Sequence, residues 1–279
     1  MSRARQAGAT SGREAAGSGD SRERANAARR TVIEAAIAAG TCHIGSSLSI
    51  VDVLAVLYTD ILPEGDHRFL LSKGHAASAL YASLAAAGTL DPEHVIHGYC
   101  SDGGTFPGHP ERGIPGVEMT AGSLGHGPAI ALGLALADRH DGSERRTFCL
   151  IGDGELNEGS VWEAISLGGH LGLGNLTLIV DANGLQGLGT TAEITNLEPL
   201  GEKLASFDWD VTEVPGHDHD ALREVLGTPS GARPHAVIAR TAKGYGWSSM
   251  ENDVMSHYKS IPAADRDLVL AEIDARSAA

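Results

Sequence analysis

Apolar residues recur at helical spacing from Ser21 to Gly40, where a glycine offers a C-terminal stop. A second apolar helix is predicted over residues 49–61 (SIVDVLAVLYTDI), ended before Pro63. The run RFLL at 68–71 predicts a short strand, an Ala-rich segment from Ala76 to Gly88 a helix, and Pro128 to Arg139 another. Three buried-type strands then follow at regular spacing, Thr147–Ile151, Leu176–Val180 and His235–Ala239. A helix over Ser160–Leu171 separates the first two. Between the second and third lie a short helix near 198–206, the run DWDVTEV at 208–214 and a helix over 218–226. Strand, helix, strand at this spacing means parallel strands joined by right-handed crossovers. The expected fold is a doubly wound, mostly parallel α/β sheet flanked by helices, formed as one domain over residues 21–279, with residues 1–20 a mobile tail of Gly, Ala, Ser and charge.

Composition narrows the function classes. The chain has 279 residues, 42% hydrophobic, with a formal charge of −15. That length and apolar share suit a folded core. The acidic balance argues against general affinity for nucleic acid or anionic lipid, yet it leaves room for a local anion site built from backbone N–H groups and a metal. Cys42, Cys100 and Cys149 are odd in number and contain no CxxC, which reads as reduced thiols in the cytoplasm. The N-terminus offers no apolar signal, and the most apolar stretch, Ala129 to Ala137, is too short to span a bilayer.

Candidate chemistry concentrates in residues 147–187. One buried strand ends in Gly152-Asp153-Gly154, and the next ends in Asp181-Ala182-Asn183-Gly184. Asp-Gly and Asn-Gly are ordinary turn pairs. Here both close neighbouring buried strands, so Asp153 and Asn183 are expected at the carboxyl edge of the sheet, where open α/β sheets bind ligands. A carboxylate, an amide oxygen and a loop carbonyl make a partial oxygen shell for Mg²⁺, which takes phosphate oxygens as further ligands. Gly152, Gly154 and Gly159 let backbone approach a diphosphate beside the helix that begins near Ser160. The expectation is a Mg²⁺-bridged diphosphate. A dinucleotide-binding oxidoreductase is disfavoured, because the early glycines form no GxGxxG between strand and helix.

GDG followed about thirty residues later by Asn after an apolar strand resembles the thiamine diphosphate motif, in its transketolase version. Further segments carry the resemblance in the family's order: His43-Ile44-Gly45-Ser46-Ser47, Leu71-Ser72-Lys73-Gly74-His75, Phe106-Pro107-Gly108-His109-Pro110, Gly122-Ser123-Leu124-Gly125-His126-Gly127, Lys243-Gly244-Tyr245-Gly246 and Met250-Glu251-Asn252. It covers essentially residues 25–260.

The resemblance implies thiamine diphosphate with Mg²⁺, or Ca²⁺ or Mn²⁺ in its place. By similarity Asp153, Asn183 and the carbonyl of Leu185 are metal ligands, and Gly154 and Asn183 touch the diphosphate side of the cofactor. His75 bonds the diphosphate, and Gly122, Ser123 and Leu124 hold the aminopyrimidine through main-chain groups. His43 and His109 line the substrate channel, and His257 is matched to a further family histidine near the cofactor. Glu158 matches an acidic residue with a structural or interface role. His126 stands where the family commonly has Gln. His217 and His219, in GHDHD, read as loop and cap residues without a zinc pattern.

In this family a glutamate on a second, pyrimidine-binding domain assists cofactor deprotonation, and residues 263–279 read as one amphipathic helix with no room for it. The chain is therefore expected to be the N-terminal subunit of a split transketolase, inactive alone. Its expected partner is a C-terminal subunit carrying the pyrimidine-binding domain, in a heterotetramer acting on a sugar or sugar phosphate, with neither nucleic acid nor membrane involved. Two alternatives stay open: a related two-chain synthase using an α-keto acid donor, and a non-catalytic cofactor-binding subunit.

Overall fold

The computed structural model describes residues 20–41, 43–229 and 231–277. The tail expected over residues 1–20 lies outside them except for Asp20, whose side chain accepts the Arg22 N–H at 3.2 Å and caps the helix Ser21–Ala39. Among the described residues seven strands occur in chain order: β1 (Arg68–Leu71), β2 (Thr147–Gly152), β3 (Leu176–Ala182), β4 (Leu185–Gln186), β5 (Gly189–Thr190), β6 (Asp210–Pro215) and β7 (His235–Arg240). Five of them form one wholly parallel sheet in the order β1-β2-β3-β7-β6. The short β4 and β5 pair as a hairpin just past β3. The expected parallel α/β sheet is therefore present.

The strands are apolar on both faces because helices cover both. Phe148, Leu150, Ile179 and Val237 point into one core, packed under the helices Ser21–Ala39, Val51–Val56 and His219–Gly227. Their neighbours Cys149, Ile151, Val180 and Ile238 point into the other, under His126–His140, Gly159–Leu171 and Leu200–Ala205. This period-two alternation is the direct consequence of strand geometry.

Several boundaries depart from expectation. The run 208–214, assigned to no element from the sequence, carries the edge strand β6, Asp210–Pro215. As an edge strand it exposes Asp210, Glu213 and Pro215, so it lacks the continuous apolar run that betrayed the central strands. The predicted helix 49–61 is α-helical only over Val51–Val56, then widens into a π turn at Leu57–Ile61. A helix at Pro92–Gly98 was not predicted, although Asp91 caps it and proline opens it. Among the described residues no helix is long and apolar enough to cross a membrane.

The chain runs from β3 out to the edge strand β6 and returns to β7 between them. Helix Leu200–Ala205 enters β6 on one face, while His219–Gly227 leads to β7 on the other. The carboxyl ends of β3 and β7 thus flank the reversal of strand order, which is where such sheets leave a crevice.

Helix Gly159–Leu171 lies so close to the approach to β6 that a Cβ on Gly169 would stand 1.7 Å from the Phe207 carbonyl oxygen. Gly169→Ala should lower stability by about 1–3 kcal/mol through overpacking. Gly133→Ala, on an exposed helical position with open space, should raise it by about 0.5–1 kcal/mol. Urea unfolding of both variants checks the pair, and equal effects would contradict this packing.

Candidate functional site

At the carboxyl edge, β1 runs into Ser72 and Lys73, and β3 ends through Asp181. Lys73 and Asp181 are each 1% exposed and form an ion pair. Lys73 Nζ also donates to the Ser46 carbonyl at 2.9 Å. Asp181 accepts from Ser49 Oγ at 2.8 Å, from Asn183 Nδ2 at 2.9 Å and from Thr241 Oγ1. Burial alone would raise the Asp181 carboxyl, but the Lys73 charge and these donors hold it below the usual range. Asp181 is thus a satisfied anion joining the ends of β1, β3 and β7 to the segment 46–49.

Asp153 is in the opposite condition. The register Gly152↔Asp181 sets it beside Asp181, one position further along the neighbouring strand. Its two oxygens accept only backbone donors, Gly154 N–H at 2.7 Å and Gly184 N–H at 2.6 Å. Burial, and then the Asp181 charge, push its carboxyl up to about 6, against those N–H donors and the more distant Lys73. Asn183 Oδ1 accepts the Leu185 N–H at 3.1 Å, which folds Asn183 and Leu185 into one turn. Asp153, Asn183 and the Leu185 main chain therefore stand together with carboxylate, amide and carbonyl oxygens, a hard donor set with an unneutralised charge. That set fits Mg²⁺, Ca²⁺ or Mn²⁺ completed by ligand oxygens. Among the described residues no cluster of three His, Cys, Asp or Glu side chains could hold a metal unaided.

Glu155, two residues on, is 2% exposed and was not singled out from the sequence. It accepts from Ser72 Oγ, from Gly125 N–H at 2.9 Å and from Gly152 N–H at 3.2 Å. Burial raises its carboxyl, and the three donors counter that rise. Ser72 Oγ in turn accepts the Gly127 N–H at 3.1 Å, an approach so close that a Cβ on Gly127 would stand 2.3 Å from Ser72. At its other end the loop is held by Ala121 N–H donating to the Pro110 carbonyl at 3.0 Å. Gly122, Ser123 and Leu124 therefore bridge from the His109 segment to the GDG turn, leaving Gly122 and Ser123 exposed.

Opposite them stands a group of cations and imidazoles. The rings of His43, His75 and His257 lie 4.6 to 5.8 Å apart, centroid to centroid. His43 has φ 68°, a conformation that L-residues rarely adopt, and its N–H donates to the His257 carbonyl at 3.1 Å. His109, exposed, reaches the same mouth: its ring carbon lies 3.1 Å from the point a Cβ on Gly74 would occupy. Lys243 is 2% exposed and, among the described residues, has no carboxylate within ion-pairing distance. Burial and then Lys73 lower its ammonium to about 8, against Asp181 and Asp153. Its Nζ stands 3.5 Å from His257 Nδ1.

Burial is the first cause that lowers each of the three clustered imidazoles. Lys243, His43 and Lys73 then bring His257 to about 4, and Lys73, His257, His43 and Lys243 take His75 well below its ordinary value. His43 is lowered further by His109 and Lys243. These rings are neutral near pH 7 first because they are buried and then because neighbouring cations and imidazoles oppose their protonation. The amide Nε2 of Gln186, buried and without a protein partner, is one more donor beside Gly154.

Asp153, Gly154, Asn183 and Leu185 come together at this edge, His43, His75 and His257 cluster, and His109 lies beside Gly74, but two details differ from expectation. The Gly154 N–H, expected to face a diphosphate, donates to Asp153. His217 and His219, expected as loop and cap, both bond the buried Asp52, and Asp218 is the cap. Lys243 and Gln186 were missed as site residues, although Lys243 was quoted within a motif. His126 is exposed at the first turn of its helix, and Glu158 is exposed as the residue preceding Gly159–Leu171.

Two outcomes follow. Lys73→Ala leaves Asp181 buried without its counter-charge and should cost about 3–5 kcal/mol in denaturant unfolding. Because Asp153 must lose its proton to bind a cation, Mn²⁺ affinity should fall about tenfold from pH 7 to pH 5. Electron paramagnetic resonance titration reads this, and an affinity independent of pH would contradict the assigned ligand.

Residues 21–271 match the family described as "Transketolase, thiamine diphosphate binding domain". An apulose-4-phosphate transketolase subunit of Phocaeicola vulgatus is 37% identical, over 85% of this chain and 88% of its own length. The 6-deoxy-6-sulfo-D-fructose transketolase subunit SqwG of Clostridium sp. is 35% identical, over 93% and 98%. Among solved structures, the transketolase from Leishmania mexicana superposes with a TM-score of 0.83 at 31% identity. That match covers 93% of this chain and 41% of the Leishmania chain, so the protein spans less than half the length of that relative. With its matched residues, its parallel sheet and this carboxyl-edge site, the chain belongs to the transketolase family, where it corresponds to the thiamine diphosphate-binding domain.

Proposed function

We propose that this protein binds thiamine diphosphate with a divalent cation and is the N-terminal subunit of a two-chain transketolase. It moves a two-carbon ketol unit from a ketose or ketose phosphate to an aldose. The observation that carries the reading is the pairing, at one sheet edge, of an unneutralised carboxylate, Asp153, with an unneutralised ammonium, Lys243, and a group of neutral imidazoles. A metal diphosphate matches both charges at once. The subunit form is supported by relatives of similar length that are named as transketolase subunits.

When bound, the cofactor supplies the nucleophilic carbon that takes up and releases the two-carbon unit. Asp153 and Asn183 with the Leu185 carbonyl hold the cation, Mg²⁺ or Ca²⁺ or Mn²⁺ in its place. His75 and Lys243 meet the diphosphate. Gly122, Ser123 and Leu124 orient the aminopyrimidine through backbone groups. His43, His109 and His257 form the rim, where neutral imidazoles can both donate to and accept from the hydroxyls of a ketose. Lys243 Nζ lies 3.5 Å from His257 Nδ1, and an ammonium there favours the tautomer with the His257 ring proton on Nε2.

The half of the site that would contact the far side of the aminopyrimidine belongs, in this reading, to a C-terminal subunit carrying the pyrimidine-binding domain, in a heterotetramer. Residues 21–279 act as one domain, and the assembly works in the cytoplasm.

Purified chain supplied with thiamine diphosphate, Mg²⁺ and a ketose phosphate should give no turnover. Adding the C-terminal subunit should restore ketol transfer, and Asp153→Ala in this chain should reduce the restored rate at least about 100-fold, as loss of a positioning ligand does. Robust turnover by the chain alone would contradict the two-chain reading, and turnover only of pyruvate would replace the ketose with an α-keto acid donor.

A further inference from the structure

The cluster around Asp52 lies outside the site described above, yet one of its members touches the segment that carries Lys243. Asp52 is 2% exposed and sits in the helix Val51–Val56. Its carboxylate is bonded by Arg29, by His217 Nδ1 at 2.7 Å and by His219 Nε2 at 2.9 Å. Burial opposes its ionisation, but Arg29 and the two imidazoles hold it well below the usual carboxylate range. The other nitrogen of His217, Nε2, accepts the backbone N–H of Ala242 at 2.9 Å.

We propose that His217 is a positioning residue: held by Asp52, its ring fixes the peptide between Thr241 and Lys243 and so sets where the Lys243 ammonium stands. A peptide N–H can only donate, so His217 Nε2 carries a lone pair and the ring's single proton is on Nδ1, directed at Asp52. That tautomer is the one arrangement in which a single ring donates to a buried carboxylate and accepts from a strand end. Rotation is blocked as well, because the ring stacks on Tyr245 at 3.5 Å with a 6° interplanar angle. Tyr245 is itself covered by the guanidinium groups of Arg29, 5.1 Å from its centroid, and Arg276, at 4.5 Å.

The segment so held is the exit from β7. Thr241 Oγ1 bonds Asp181, Gly244 N–H donates to the Gly45 carbonyl at 2.9 Å, and the Lys243 carbonyl accepts the Asn252 N–H at 2.8 Å. These three tethers run to the site itself or to the segments packed beside it. The His217 tether instead runs behind the sheet edge to the Arg29–Asp52 pair. Losing it frees the Thr241–Ala242 peptide, one residue before Lys243, without touching any group assigned to cofactor or substrate. The placement of the ring follows from geometry alone; its consequence for cofactor binding rests on the function proposed above.

Two substitutions separate the two bonds. His217→Gln can place Oε1 where Nε2 stood and keep the Ala242 acceptor while giving Asp52 nothing. His217→Asn can place Nδ2 where Nδ1 stood and keep the donor to Asp52 while leaving the Ala242 N–H unpaired. Thiamine diphosphate affinity is measured in Mg²⁺ on the full chain with its C-terminal partner, amide hydrogen exchange at residues 241–244 on the cofactor-free chain, and global stability by urea unfolding.

The Gln variant should keep affinity within about threefold and slow exchange at 242–243, whereas the Asn variant should lose about tenfold in affinity and exchange faster there, as an unpaired buried donor predicts. The Asn variant should lose this affinity while unfolding at a urea midpoint no lower than that of the Gln variant. An Asn variant that binds as wild type, or losses that track global stability in both variants, would overturn the proposal. ¹⁵N shifts of the wild-type His217 ring give a check that needs no variant. A neutral ring protonated on Nδ1 supports the assignment, and one protonated on Nε2 overturns it. If the wild-type assembly fails to bind thiamine diphosphate, the proposed function falls, while the tautomer and exchange results still decide the placement of the ring.

Discussion

The buried pair of Lys73 and Asp181 is the constraint on which the site depends. Such a pair adds little net stability, because two charges must leave water before they attract. What it does here is geometric. One carboxylate, held ionised by one ammonium, accepts from Ser49, Asn183 and Thr241, and the ammonium reaches the Ser46 carbonyl. Three separate stretches of chain are thereby indexed to the end of β3. Hydrophobic residues of the same volume could fill that space, but they could not orient the Asn183 amide or the Thr241 turn.

The neighbouring charges acquire meaning against that satisfied pair. Asp153 repeats the acid of Asp181 without its counter-ion, and Lys243 repeats the cation of Lys73 without its carboxylate. Each has its pKa moved toward the neutral form, as burial of an unmatched charge requires. Native proteins retain such costs where a ligand supplies the missing partner. In the proposed function a divalent cation and a diphosphate would supply both, which reconciles an anionic ligand with a chain of formal charge −15. The acidic surplus and the charge of such a ligand need not meet, because the buried Lys243 and the imidazoles of His43, His75 and His257 stand at this edge.

How much of this was legible in the sequence follows from which physical signals are local. The central strands were readable because burial on both faces leaves an uninterrupted apolar run, as in residues 176–182. The edge strand β6 was not, since four of its six residues face solvent and it shares their composition with a loop. Turn chemistry at strand ends points to Asp153 and Asn183, and motif context to His43, His75 and His109. The partners of those residues were silent. Lys73 and Asp181 are 108 positions apart, and Glu155 meets Ser72 and Gly125 across 83 and 30. Nothing in spacing says which buried charge finds which. The GHDHD run shows the same limit, since read locally it is a loop and a cap, and only Asp52, 165 residues earlier, makes His217 a structural ligand.

The account stands or falls on where a metal diphosphate lies relative to the unmatched charges. A crystal structure of this chain with its C-terminal partner, grown with thiamine diphosphate and Mn²⁺, locates the ion by anomalous scattering. The account predicts the Mn²⁺ peak within coordination distance, roughly 2.0–2.3 Å, of oxygens from Asp153 and Asn183, with the diphosphate between it and the Lys243 ammonium. A Mn²⁺ peak elsewhere, or a diphosphate bound away from both Asp153 and Lys243, would contradict it.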